Sequence, residues 1–258
     1  MPLLVPSILI QELGGYRDLL DSAFRGRAEI FIDKRYITPN GRFSNRFSKV
    51  EGALGSTIPF SVHMPAKATD YFRQPQRLYQ LIPRIMRACP GLRYLVVHLN
   101  SVDRGFCRET LVGLSDFIHS NYPQLKLCVE NQHSQTSVIH APADLRLIRN
   151  LAHVGFVCDV THIPYDPRGH AFYNRRILDF IEKVKGRTDY FHISGVRMEN
   201  GAVKGHFELS FDSPVDWPPV IQKIKETGKP IVLEIHELSS GNHNAALLNA
   251  KRFLESIS

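Results

Sequence analysis

Residues 155–162 read GFVCDVTH. Phe156, Val157 and Cys158 are apolar at consecutive positions, and the segment then reaches Asp159 and His162. A strand without an alternating polar face is buried on both sides, as strands of a parallel sheet wrapped by helices are. Working outward from it, eight short apolar runs recur, at 6–13, 27–33, 59–63, 94–98, 125–130, 155–159, 190–193 and 231–235. Stretches with helical spacing fall between or after them, at 75–88, 106–120, 142–151, 173–184, 214–226 and 243–257, with a weaker one at 16–24. Several of these begin at a proline, which the first helical turn tolerates. Strands alternating with helices over 258 residues match the size and pattern of one (β/α)8 barrel. The expected fold is therefore α/β, a single (β/α)8 TIM-barrel domain over residues 1–258. The departure is the segment 34–56 after the second run. It is expected to be a long loop without a helix, turning at Pro39-Asn40-Gly41, and a loop of that length is more often functional than idle.

Composition excludes several classes. With 43% hydrophobic and 22% charged residues, the chain has enough apolar material for a core and is not of the disordered type. Residues 1–10 contain no basic residue and carry Pro2 and Pro6, so they read as a first strand rather than a secretory signal. No run approaches the roughly 20 apolar residues of a membrane span, so no membrane partner is expected. Cys89, Cys107, Cys128 and Cys158 form no CxxC pair, and a chain this large needs no disulfides, which makes a reducing cytoplasm the simplest compartment. Cys128 is expected to point into the barrel with Glu130, and Cys158 towards the helices, both as small buried hydrophobes. A net charge of +7 favours an anionic partner such as a phosphorylated small molecule or nucleic acid. No pattern sets an oligomeric state.

The ends of the runs carry the chemistry. FSVH ends in His63, LVVH in His98, LCVE in Glu130, FVCDVTH in Asp159 and His162, YFH in His192 and IVLE in Glu234. In a parallel barrel all strand C-termini open on one face, so residues more than a hundred positions apart converge there. His206, after the seventh run, falls within reach of the same mouth. A lone His at a strand end is usually a hydrogen-bonded structural residue, but six successive strand ends of this kind leave that explanation strained. Mixed imidazole and carboxylate donors without a thiolate pattern suit Zn, Mn or Fe as divalent ions.

The ordered series H, H, EN, DxxH, HxS and LE resembles the xylose isomerase-like barrels that include endonuclease IV, the AP endonuclease family 2 group. The resemblance runs from the third strand to the eighth. It implies one to three metal ions per chain, with Glu130 bridging two of them. His63 and His98 would complete one site, Asp159, His192 and Glu234 a second, and His162 with His206 a third. The third lacks one ligand, because Lys204 stands where the family has Asp, and Glu208 is the available substitute. Sugar isomerases and epimerases of the same group use only the four-ligand core, here Glu130, Asp159, His192 and Glu234, with Glu130 and Glu234 as the proton-moving pair and His162 on the substrate. A further Glu of some ketose epimerases is Thr136 here, and a Lys of some UV-damage endonucleases is Tyr190. HISGV at 192–196 followed by HFELS at 206–210 is similar to the cobamide-remodelling phosphodiesterases.

Charge placement separates these reactions at the level of sequence. Basic residues in the loops after strands, among them Arg35, Arg42, Arg46, Lys67, Arg168 and Arg197, suggest a positive rim that attracts phosphate. Of these, Arg35, Lys67, Arg168 and Arg197 are the candidate substrate-binding residues. Tyr36, Phe43 and Phe47 could stack on a base or sugar, or simply pin the loop to the barrel. The leading expectation is metal-dependent hydrolysis of a phosphodiester with Glu130, Glu234 and His162 as catalytic residues, DNA being one candidate substrate. The alternative is isomerisation or epimerisation of a sugar or sugar phosphate on one metal, and a further one is a small-molecule phosphodiesterase.

Overall fold

The computed structural model describes residues 2–38, 42–55, 58–65, 76–99, 104–132, 138–199, 202–236 and 242–257. Ten strands are present among them: β1 Leu4–Leu9, β2 Arg27–Phe31, β3 Ile58–His63, β4 Tyr94–His98, β5 Lys126–Glu130, β6 Val154–Asp159, β7 Thr188–Ile193, β8 Gly195–Glu199, β9 Ala202–Phe207 and β10 Ile231–Leu233. Eight of them close a barrel in the order β1-β10-β7-β6-β5-β4-β3-β2. Every neighbouring pair around the barrel is parallel. Among the described residues no helix is long and apolar enough to cross a membrane.

Alternation along the strands divides the core in two. Val5, Phe60, Val96, Cys128, Val157, Tyr190 and Val232 fill the barrel interior as an apolar floor. Residues of opposite parity, including Val97, Val129, Cys158 and Phe191, join the larger core between barrel and helices. Cys128 and Cys158 thus lie on the two sides expected of them. Two residues above Cys128, Val157, Tyr190 and Val232 along their strands stand Glu130, Asp159, His192 and Glu234, so a period of two sets the polar layer directly on the apolar floor.

The helices are α1 Arg17–Ala23, α2 Ser48–Gly55, α3 Gln76–Ala88, α4 Arg104–Asn121, α5 His170–Val184, α6 Trp217–Glu226 and α7 His243–Ser256. Three local expectations are corrected. The first apolar run divides, because β1 ends at Leu9 and a 3₁₀ helix, Ile10–Tyr16, continues the burial through Ile10 and Leu13. The stretch expected as a helix at 142–151 is a 3₁₀ helix, Pro142–Ile148, stopped by Arg149 in extended conformation and Asn150 at φ +64°.

The segment after β2 is not a bare loop. It contains a 3₁₀ turn, Lys34–Tyr36, a bridge between Ile37 and Phe43, and helix α2. Two glycines in SKVEGALG depress the helical signal, and tertiary contacts override that. Arg84 of α3 donates to both carboxylate oxygens of Glu51, at 3.2 and 2.9 Å, and to Ser48 Oγ at 2.9 Å. Its guanidinium also lies over the rings of Phe43 and Phe47, which stack at 3.7 Å. The Pro39-Asn40-Gly41 turn lies outside the described residues.

Candidate metal centre

Glu130, at the end of β5 and fully buried, stands at the middle of the mouth. Its Oε2 lies 3.0 Å from His98 Nε2 and 3.2 Å from His63 Nε2, while Oε1 lies 3.1 Å from His162 Nδ1. His63 and His98 meet each other at 3.0 Å through their Nε2 atoms. On the far side Glu234, just beyond β10, places Oε2 at 3.2 Å from His192 Nδ1 and Oε1 at 3.5 Å from His236 Nε2.

Asp159 is held by its surroundings. Its Oδ1 accepts from Thr161 N at 2.6 Å and Thr161 Oγ1 at 2.7 Å, leaving Oδ2 at 3.2 Å from His162 Nδ1. The Asn131 side chain bonds both the N–H and the C=O of Asp159, each at 2.8 Å. His162 leans its Nδ1 on the Asn131 carbonyl at 3.0 Å. His206 comes from the β8–β9 hairpin at φ +71°, a conformation costly for a residue with a Cβ; Ser194 Oγ accepts from its N–H at 2.8 Å, and its own carbonyl accepts from His236 N–H at 2.9 Å.

Electrostatics follow from this crowding. Burial opposes protonation of His63, but the Glu130 and Glu29 carboxylates outweigh it and push its pKa up to about 10. His162 is likewise pushed up to about 10 against burial, mainly by Asp159 and Glu130. His192 lies well above the ordinary range because Glu29 and Glu234 outweigh burial. His98 goes the other way, since burial prevails there over Glu130. Glu130 and Glu234 are held well below the carboxylate range, despite burial, by the imidazoles around them.

No protein-family model matches the sequence, and no curated protein does. Solved structures do resemble it in three dimensions. Endonuclease IV from Thermus thermophilus superposes with a TM-score of 0.69 at 15% identity, covering 100% of both chains. A xylose isomerase domain protein from Alicyclobacillus acidocaldarius gives 0.62 at 15%, covering 98% of both. Mannonate dehydratase from Streptococcus suis serotype 2 gives 0.58 at 12%, covering 100% of this chain and 92% of its own. What this chain shares with these proteins is the TIM-barrel fold.

In this barrel the donor set fits divalent cations on its own chemistry. Four groupings of described residues each bring one ligand atom per residue within 4.8 Å of the others: Glu130, Asp159, His192 and Glu234; His63, His98 and Glu130; His206, Glu234 and His236; and Glu29, His63 and His192. His98 Nδ1, Glu130 Oε1, His192 Nδ1, Glu234 Oε2 and His236 Nε2 are buried without a hydrogen bond, as are His63 Nδ1 and Glu29 Oε1, which face each other behind the cluster. Several of these atoms lie close in distance yet are not aligned with one another, as donors converging on a shared cation would be.

Two members were missed in the sequence. His236 follows Glu234 by two positions in IVLEIH, and that period of two was its available signal. Glu29 interrupts the apolar run AEIFI, an unbalanced buried charge that should have drawn notice. The third grouping differs from the one the resemblance implies, because His206 joins Glu234 and His236 while His162 turns to Glu130 and Asp159. Lys204 pairs with Glu199 on the hairpin, and Glu208 is in none of the groupings.

Three of the basic residues expected in the rim have contacts of their own. Arg35 pairs with Asp33 at 3.0 Å, Arg168 pairs with Asp166 at 2.7 Å and lies over Phe172, and Arg197 lies over Phe207. Lys67 and Thr136 lie outside the described residues. Tyr36, Phe43 and Phe47 are buried and pack among themselves and against Arg84, which corrects the base-stacking reading in favour of a pinned segment. Beside the cluster a cavity of about 550 Å³ is lined by Leu9, Glu12, Tyr16, Phe31, His236 and His243 among others, with neither Arg nor Lys among the described residues of its wall.

Proposed function

We propose that this protein is a divalent-metal-dependent hydrolase of a phosphodiester. The observation that carries the reading is the position of Glu130, whose two carboxylate oxygens face different sets of histidines: Oε2 meets His63 and His98, and Oε1 meets His162. A single-metal site needs only Glu130, Asp159, His192 and Glu234, so His63 and His98 supply donors beyond that requirement. Zn, Mn or Fe ions held by these residues would supply Lewis acidity towards a phosphoryl oxygen and lower the pKa of water.

The protein's own groups would do the rest. Asn131 and Thr161 lock Asp159 from the backbone side, so its carboxylate keeps one orientation as substrate enters. His162, the most exposed of the residues around Glu130, has its Nδ1 on a backbone carbonyl, which leaves Nε2 to hand a proton to a departing oxygen. Phe31 packs against His63 and His236 and forms part of the wall of the adjacent cavity.

A second reading, isomerisation of an uncharged sugar with Glu130 and Glu234 moving the proton, is favoured by the absence of Arg and Lys from the described wall of the adjacent cavity. Metal analysis of protein purified without chelator, paired with assays on bis(4-nitrophenyl) phosphate and abasic DNA, decides between them. Two or more equivalents with phosphodiester cleavage supports the hydrolase. One equivalent, no cleavage and aldose–ketose interconversion would replace it with the isomerase.

A further inference from the structure

Glu29 lies on β2 beneath the cluster, and its two oxygens address two different histidines. Oε2 accepts from Ser61 Oγ at 2.6 Å, Tyr190 OH at 3.1 Å and His192 Nε2 at 3.2 Å. Oε1 lies 3.4 Å from His63 Nδ1 without a hydrogen bond between them, and that nitrogen lies 3.7 Å from Glu234 Oε1. Glu29, Ser61, Tyr190, His192 and His63 are all within 1% of complete burial. The register between β2 and β3 shifts after Ala28, so that Pro59 pairs with Ala28 and Ser61 with Glu29, leaving Phe60 as an extra residue. That bulge lets Phe60 join the apolar floor while Ser61 and His63 both reach Glu29.

Each histidine presents its other nitrogen to the cluster. His192 Nδ1 faces Glu234 at 3.2 Å, and His63 Nε2 faces Glu130 at 3.2 Å and His98 at 3.0 Å. We infer that Glu29 is a positioning residue shared by His63 and His192, bonding the rear nitrogen of His192 and standing 3.4 Å behind that of His63, so that with metal bound both cluster-side nitrogens are free to ligate it. The inference rests on the metal reading of the cluster. A carboxylate behind a ligating imidazole sets its tautomer and raises its basicity, and here one side chain serves two rings. A buried carboxylate with no such task would be costly this close to the apolar floor. Ser61 and Tyr190 in turn hold Glu29, since both donate to the oxygen that His192 uses.

The test compares wild type with Glu29→Gln, which keeps the shape but offers an N–H₂ to one of the two imidazoles. Zn²⁺ affinity is measured by competition with a chromogenic chelator, equivalents per chain by metal analysis, and histidine tautomers by ¹⁵N–¹H correlation of the Zn-loaded protein. The expected result is a folded variant with affinity weakened by about 10- to 100-fold and with the single tautomer of His63 and His192 lost. Equal affinity and unchanged tautomers in the variant overturn the inference while leaving the metal reading intact. Loss of one equivalent with the remainder bound as tightly as before makes Glu29 a ligand and also overturns it. A wild-type protein that takes up no Zn²⁺, Mn²⁺ or Fe²⁺ overturns the metal reading and this inference with it. Should Glu29→Gln not fold, Tyr190→Phe removes one donor from Glu29 without touching either histidine; a several-fold loss of Zn²⁺ affinity supports the inference, and none overturns it.

Discussion

Asn131→Ala removes the clamp between the ends of β5 and β6. The ladder between these strands ends with Glu130 opposite Val157, and beyond it the Asn131 side chain takes over. It donates from Nδ2 to the Asp159 carbonyl and accepts at Oδ1 from the Asp159 N–H, both at 2.8 Å, with both residues 1% exposed. Each lost hydrogen bond is worth about 1 kcal/mol net, and each buried group left unpaired costs about 1–3 kcal/mol. A water entering the space recovers part of that, which leaves an expected loss of about 2–4 kcal/mol. With a urea m-value of about 3 kcal/mol per M, the unfolding midpoint should fall by about 1 M. The assay is urea unfolding followed by circular dichroism on chelated protein, so that metal does not contribute. A midpoint within about 0.2 M of wild type with m unchanged would refute the reasoning, because Asp159 would then be held by something other than Asn131.

Gly205→Ala is expected to disturb Asp159 from the opposite side: the added methyl would sit 2.8 Å from Thr161 Oγ1, the group that donates to Asp159 Oδ1. Overpacking of this kind costs about 1–3 kcal/mol, and calorimetric titration with Zn²⁺ should show weaker binding; wild-type affinity and stability together would contradict it. Chelation should lower Tm reversibly, since a ligand held at about 100 times its Kd contributes about 2.7 kcal/mol, or roughly 5–10 °C for a chain of this size. An unchanged Tm after verified removal of metal would count against a metal-loaded cluster. Arg84→Ala should release α2 by removing the bonds to Glu51 and Ser48 and the contact with Phe43 and Phe47, and amide hydrogen exchange across Ser48–Gly55 should quicken about 10-fold or more. Wild-type exchange rates there would show that α2 stands without Arg84.

Much of the candidate site was legible because strand geometry is local. A period of two places Cys128 and Glu130, or Val157 and Asp159, on one side of their strands, and parallel pairing brings every such C-terminal end to one mouth. That is why His63, His98, Glu130, Asp159, His192 and Glu234 could be read as one cluster from residues spread over 172 positions, 63 to 234. Helix α2 was not legible, because its two glycines mask a segment that forms through contacts with Arg84 on another helix. The pairing of the basic rim is a local matter. Arg35 and Arg168 each pair with an aspartate two positions earlier in the chain, Asp33 and Asp166, and both keep an exposed guanidinium.

By itself the sequence determined the barrel, its strand count and the polar layer at the strand ends, since apolar periodicity and strand-end chemistry are properties of short segments. The tertiary structure alone decided what stands behind that layer. Glu29 and His192 are 163 residues apart and meet only because the barrel closes, with β1 pairing β2 on one side and β10 on the other. No local pattern encodes that meeting, because it depends on closure and on the bulge that sets Ser61 opposite Glu29.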